Sequence, residues 1–522
     1  MAIDKLLSRK QSVYFEFVFV LVIALLARGN GIFSLNWSCD DFLSIADPTG
    51  TGYAVSQVSQ LRFFAAFITR LVGWLGGGFP PLGVFWNVSH TASMVVFALA
   101  LRRLWIPGSP SIYGVLIGLL FTLFPYHINL LAFQLQHPSM TMSYLTGAFA
   151  LANCNRAGWW KWASVMALAA SLSYQTMIAY FVAAALVLAL ILAYRHFQSA
   201  GTTPPAETFA PLGNYLQVIA LGLVAYFGLA LLSLKLFEIE RVNRTTFASL
   251  DAAQERFQLL LNHLKRTAFG KEPSMVRSPK LLQSSLWAVV ISGLSLNLLR
   301  RSKAGSVAII FAGLSILVSI AIVVSAFLPT ILMDHASENP RNLLATVLLA
   351  AGLVALASLS ANRPMKIVAI ALAGLLALSY ALITNTLSID LARLTTRDFL
   401  QASRMVERLD QLSAAKKLRT VVFIGTYSPG GNLSGSEYYQ SGFTVPWAQL
   451  PLLQEASGQV FANPSSTDQA KAKRLSAELP PWPAVGSVAV EGDVGVVVLS
   501  AQANPVASAT PKQGASAERV EQ

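Results

Sequence analysis

The feature that most limits the fold is a succession of apolar runs, each near the length of a membrane span and separated from the next by short basic clusters. A helix needs about 20 apolar residues to cross the hydrocarbon core, and such runs recur between residues 13 and 384. Composition agrees, with 54% hydrophobic and only 12% charged residues and a mean hydropathy of +0.55. A soluble domain carries about twice that charged fraction. The chain therefore reads as an α-helical polytopic membrane protein. Its net charge of +13 does not point to nucleic acid, because the basic residues are scattered between the apolar runs. There they serve as topology signals and headgroup contacts.

Lys5, Arg9 and Lys10 precede the first run, residues 13–26, whose one charge is Glu16. This marks the N-terminus as cytoplasmic. No small-residue cleavage site follows, so the first helix is expected to be retained. A polar loop at 47–60 leads to residues 61–75, which carry Arg62 and Arg70 and read as a helix lying at the outer interface. Further spans are expected at 82–101, 112–131 and 138–153, then as two short helices within 163–194 that meet at 171–175. Others follow at 215–234, 282–299, 307–328, 343–359 and 367–384. That makes about 11 transmembrane helices. The basic clusters at 102–103, 195, 300–303 and 363–366 then all share the cytoplasmic side, and the C-terminus lies outside.

The outer segment 235–280 contains an amphipathic stretch at 247–269, where Arg256, Lys265 and Arg266 are placed to meet lipid phosphates. Composition changes after residue 386. A charged helix at 391–415, a strand at 418–424 and a hairpin within 485–499 predict a small periplasmic α/β domain. Three regions result: a membrane domain over 1–385, this domain over 386–500, and a disordered Ala/Ser/Pro-rich tail over 501–522.

No zinc-spaced Cys/His cluster, Gly-rich phosphate loop, GxSxG elbow or HExxH helix is present. Cys39 and Cys154 fall at opposite faces, which argues against a disulfide. His90, inside an apolar span, reads as a packed histidine, and His127 as a cap for a kink after Pro125. Polar residues instead gather on the outer face: Asp40, Asp41, Arg62, Gln134, Gln136, His137, Tyr174, Gln175, Arg241, Arg244, Asp334, His335, Glu338 and Arg341. Two adjacent carboxylates just past a membrane helix are costly unless hydrated, paired or used. A carboxylate can take the proton of an attacking hydroxyl, and arginine can neutralise a departing phosphate.

The order of Asp40-Asp41, Leu61-Arg62, Phe124-Pro125-Tyr126, the segment 133–140, Ser173-Tyr174-Gln175 and Asn339-Pro340-Arg341 resembles the O-antigen-modifying, Gtr-type glucosyltransferases of bacteria, within the GT-C superfamily. Two departures stand out. Leu61 occupies a place where the family tends to have glycine, and Gln136-His137 stands where members often carry an Asp. The resemblance implies a GT-C-like fold in a bacterial inner membrane and transfer of a sugar, glucose, from an undecaprenyl-phosphate donor to a surface polysaccharide such as O-antigen at the periplasmic face. It implies Asp40 or Asp41 as general base, Arg62 and Arg341 on the donor phosphate, and Gln136, His137, Tyr174 and Gln175 around the sugar. Arg241 and Arg244 join them as substrate-binding candidates. No tightly held metal or other cofactor is implied, while a donor synthase and a small flippase are the expected partners. An O-antigen polymerase and a lipid-linked oligosaccharide flippase are the alternatives. Charges concentrated at one face, rather than along a path at mid-membrane depth, weigh against the flippase.

Overall fold

The computed structural model describes residues 9–34, 37–38, 41–42, 51–76, 82–199, 202–236, 252–269, 279–302, 305–332, 340–413, 417–427 and 441–500. In chain order the first helices are α1 (Arg9–Phe33), α2 (Thr51–Ser59), α3 (Phe63–Trp74), α4 (Gly83–Trp105), α5 (Ser111–Thr122), α6 (Ile128–Leu131) and α7 (His137–Asn153). Then come α8 (Trp160–Ser173), α9 (Thr176–Gln198), α10 (Pro205–Leu236), α11 (Ala253–Phe269), α12 (Lys280–Ser302), α13 (Gly305–Leu332), α14 (Val347–Ser358) and α15 (Arg363–Ser413). Short 3-10 turns at Pro125–His127, Gln134–Gln136 and Pro340–Thr346 interrupt them. Seven of these helices are long and apolar enough to cross a membrane, and α3, α5 and the stretch Leu343–Ser358 are shorter apolar pieces.

Several expected elements differ in the structure. The loop at 47–60 contains helix α2, because Tyr53, Ala54 and Val58 supply an apolar face among the polar residues. The expected span 112–131 is broken: Pro125 has no N–H to give to Phe121, and the chain turns through Pro125–His127 before α6. The expected span 215–234 begins earlier, since residues 205–211 start α10, with Pro205 tolerated in its first turn. The expected separate helices at 367–384 and 391–415 are one 51-residue helix, α15. At 1.5 Å per residue it is roughly 75 Å long, more than twice the hydrocarbon thickness. The polar residues after 384 therefore mark a change of surroundings, not the end of a helix.

α1 shows how the bundle is assembled. Glu16, Val20, Ala24 and Arg28 recur every fourth residue and are fully buried, so they form the stripe that faces the other helices. Phe15, Val18, Val22 and Leu26 form its exposed apolar side. On α5, Gly114 and Gly118 have the same spacing, and a Cβ at either would fall on the Glu16 carboxylate or within 2.9 Å of Val20. Small residues here let two backbones approach closely, as helix packing in membranes favours. Glu16 pairs with Arg102 of α4 at 3.3 Å and accepts a hydrogen bond from Ser12 at 3.1 Å. Arg102, predicted as a topology marker, is thus also half of a buried ion pair.

The described residues to Thr396 form one compact unit, and those from Arg397 onward form a second. In the second unit β1 (Thr420–Ile424), β2 (Val488–Glu491) and β3 (Val494–Val498) make a sheet of order β1-β3-β2. β3 lies parallel to β1 and antiparallel to β2. Central β3 (VGVVV) is buried along its whole length, as a strand paired on both edges requires. The crossover from β1 to the hairpin contains α16 (Pro446–Ser457) and α17 (Ser466–Ser476). α17 is capped by Ser465, which exchanges hydrogen bonds with Asp468. Arg419, just before β1, bonds Asp468 at 2.7 Å and Asp493 at 2.8 Å, which joins the α17 cap to the hairpin. That guanidinium, with the Ser465 hydroxyl and amide, holds the Asp468 carboxyl down at about 2.

Two outcomes test this account. Arg102→Met leaves Glu16 buried and unpaired and should cost about 3 kcal/mol, with most of that recovered in Glu16→Gln/Arg102→Met. Thermal unfolding in detergent reads the cycle, and additive costs would show that the pair does not interact. In the second unit, the depressed Asp468 pKa stabilises the fold above the ordinary carboxylate range, and that contribution disappears as pH falls from about 4 toward 2. Pepsin cleavage within residues 397–500 should therefore rise over that window, and Arg419→Met should be cleaved readily before it.

Candidate functional site

The acidic turn after α1 is held by its own side chains. Asp41 is buried, and one carboxylate oxygen accepts from the Ser38 amide at 2.8 Å and the Ser38 hydroxyl at 2.9 Å. The other accepts from the Leu135 amide at 2.7 Å. That amide is exposed to a partner because Pro125 and the 3-10 turn Gln134–Gln136 leave the 123–137 connection outside any long helix. Asp41 thus ties the end of α1 to the start of α7. Trp37 fixes the same turn, stacking edge-on to Phe42 at 5.5 Å and donating its amide to Thr395 of α15 at 3.1 Å. Asp40 lies outside the described residues.

α2 ends in a Schellman cap. The Leu61 amide donates to Val58 O at 2.9 Å and the Arg62 amide to Gln57 O at 2.9 Å. Leu61 has φ +62°, the left-handed conformation that glycine adopts without strain and a branched side chain does not. The departure from glycine at this position is therefore a strained residue in a turn built for one. Immediately after it, Arg62 opens α3, places its guanidinium 5.1 Å from the Tyr174 ring centre, and donates to Gln57 at 3.4 Å. Gln175, at the break between α8 and α9, donates its amide to Gln60 O at 2.7 Å and to the Tyr226 hydroxyl at 3.0 Å.

Arg62, Tyr174 and Gln175 are therefore brought together, and Ser139 of α7 reaches α3 through a 3.3 Å bond to Ala65 O. His137 is directed elsewhere. It is fully buried, bonds Leu130 O at 3.1 Å and stacks face to face on His90 with ring centres 5.0 Å apart. Gln136, half-buried, precedes it. Arg341 belongs to the 3-10 turn Pro340–Thr346, which packs on Pro125–His127, while its side chain, like Arg241, Arg244, Asp334, His335 and Glu338, lies outside the described residues. His127 bonds the Tyr180 hydroxyl at 2.8 Å within the aromatic core.

Sequence reasoning missed Gln57, Ser38 and Tyr226. Gln57 was hidden in a stretch read as loop. Tyr226 sits in an apolar span where a tyrosine gives no signal beyond its hydroxyl. Ser38 had one, since Ser-x-x-Asp is the spacing of a side chain that returns to an amide three residues back.

The arrangement presents an acidic turn and an arginine stacked on tyrosine at connections on the same end of the bundle. The model of one family, Glucosyl transferase GtrII, matches residues 29–406, a span that covers this whole constellation. The chain belongs to that family. It is a glycosyltransferase. No curated protein and no solved structure matches it.

Leu61→Gly should raise stability by about 1 kcal/mol through relief of the left-handed strain. An unchanged or lower melting temperature would mean that Leu61 side-chain packing outweighs the strain.

Proposed function

We propose that this membrane glycosyltransferase moves glucose from an undecaprenyl-phosphate-linked donor to a surface polysaccharide, such as O-antigen, at the periplasmic face of a bacterial inner membrane. Two observations carry the reading: Asp41 anchors the acidic turn, and Arg62, Tyr174 and Gln175 gather at connections on the same end of the bundle. Both Asp41 oxygens already accept strong hydrogen bonds, which suits a residue that positions the turn. Its neighbour Asp40 then takes the proton of the acceptor hydroxyl as that oxygen attacks the anomeric carbon. The bond from the anomeric carbon to the phosphate oxygen breaks, and the polyprenyl phosphate leaves as an anion. Arg62 meets that charge, with Arg341 and the basic residues Arg241 and Arg244 as further phosphate contacts. Tyr174 holds the Arg62 guanidinium flat and limits its freedom, while Gln175 fixes the turn beneath it. Gln136 remains a candidate for the sugar. His137, turned into the core, supports the Gln134–Gln136 turn from below. A lipid-linked donor made in the cytoplasm requires a synthase and a flippase, which are the expected partners.

Separate Asn substitutions test the division of labour. Asp40→Asn should lower sugar transfer by at least roughly a hundredfold with stability unchanged, whereas Asp41→Asn should lower the melting temperature. Mass analysis of the polysaccharide and thermal unfolding read the two effects. Wild-type transfer by Asp40→Asn would overturn the base assignment, and wild-type transfer by both would overturn the site.

A further inference from the structure

The buried stripe of α1 ends in a charge with no counter-charge among the described residues. Arg28 is fully buried, donating to Thr91 Oγ1 and Met94 Sδ of α4, each at 3.4 Å, and to the carbonyl of Thr122. That carbonyl is at the C-terminus of α5, so the helix dipole offers only about half a negative charge. Every ion pair among the described residues lies elsewhere. An arginine inside a membrane bundle pairs with another charge or with backbone carbonyls, or faces a hydrated cavity, and the one carbonyl here carries only a partial charge.

The side chains around it are also incomplete. Arg28 Nε has no hydrogen-bond partner, and neither do Asn87 Nδ2 and Oδ1, His90 Nδ1 and Nε2, or His137 Nδ1, all of them buried. Asn87, His90 and Thr91 lie within one turn of α4, on the face that receives Arg28, and His137 covers His90 from α7. Five unsatisfied polar atoms around a cation whose own Nε is also unpaired are too many for a packed apolar bundle, where nearly all such groups find partners. Water would satisfy the amide and imidazoles but would leave the guanidinium charge unbalanced.

We propose that Arg28, Asn87 and His90 form a binding site for one small monovalent anion, held between α1, α4 and α7. The anion receives N–H donors from Arg28 Nε, from Asn87 and from a His90 nitrogen, and it balances the single positive charge. The site lies below the Gln134–Gln136 turn through the His90–His137 stack, so its occupancy braces the floor under Asp41. The inference does not depend on the glycosyl-transfer reading.

Chloride is the probe. Purified full-length protein in detergent, titrated with sodium chloride against sodium gluconate at constant ionic strength, should show a saturable rise of a few degrees in melting temperature. Arg28→Met, which replaces the cation with an apolar chain, should melt at one temperature in both salts. Asn87→Leu should need roughly tenfold more chloride for half-saturation, the loss of one hydrogen bond to a charged group. Identical wild-type melting in chloride and gluconate would overturn the proposal and leave water as the occupant. So would a chloride response that survives Arg28→Met.

Discussion

Inside an apolar bundle every carbonyl and amide released by a helix break must be met by another group, since neither lipid nor apolar side chains can do so. The break between α5 and α7 is where this protein meets that demand. Pro125 stops α5, and the carbonyls left behind are taken by side chains distant in sequence: Thr122 O by Arg28 and Leu123 O by Thr384, at 2.9 Å for the latter. The Leu135 amide goes to Asp41. One interruption thus gathers α1, α15 and the acidic turn around a single point. The candidate site stands there because that is where the bundle must bring in polar residues.

The same logic explains the second cluster. α2 closes with a left-handed residue, and the carbonyl of Gln60 that this turn leaves over is taken by Gln175 from the α8–α9 break. A side chain at one break thus satisfies another far away in sequence, and Arg62 lies over Tyr174 next to it. A residue in strained backbone therefore stands directly before that arginine.

Much of the membrane domain could be read from hydropathy, because burial in lipid demands long apolar runs whatever the topology. Apart from the break at Pro125, the differences share one cause: polarity reads as helix termination. Residues 385–390 are polar, yet α15 continues through them because leaving hydrocarbon removes no backbone hydrogen bond. The residues at 51–59 mix polar with apolar side chains, yet they fold as α2 against α3. His137 illustrates the opposite difficulty. A histidine beside a polar segment looked like part of a sugar pocket, but the 3-10 turn before it rotates the ring into the core and onto His90.

The sequence by itself determined the class of protein, the break at 171–175 and the candidates Asp40, Asp41, Arg62, Tyr174 and Gln175, since apolar length and polar residues at span ends are local properties. Tertiary structure alone decided that Glu16 meets Arg102, that Asp41 is bound through both oxygens, that Arg62 lies on Tyr174, and that Arg28 has no acid beside it among the described residues. Each of these depends on which helix faces come together, and a helix face has no partner until the bundle closes.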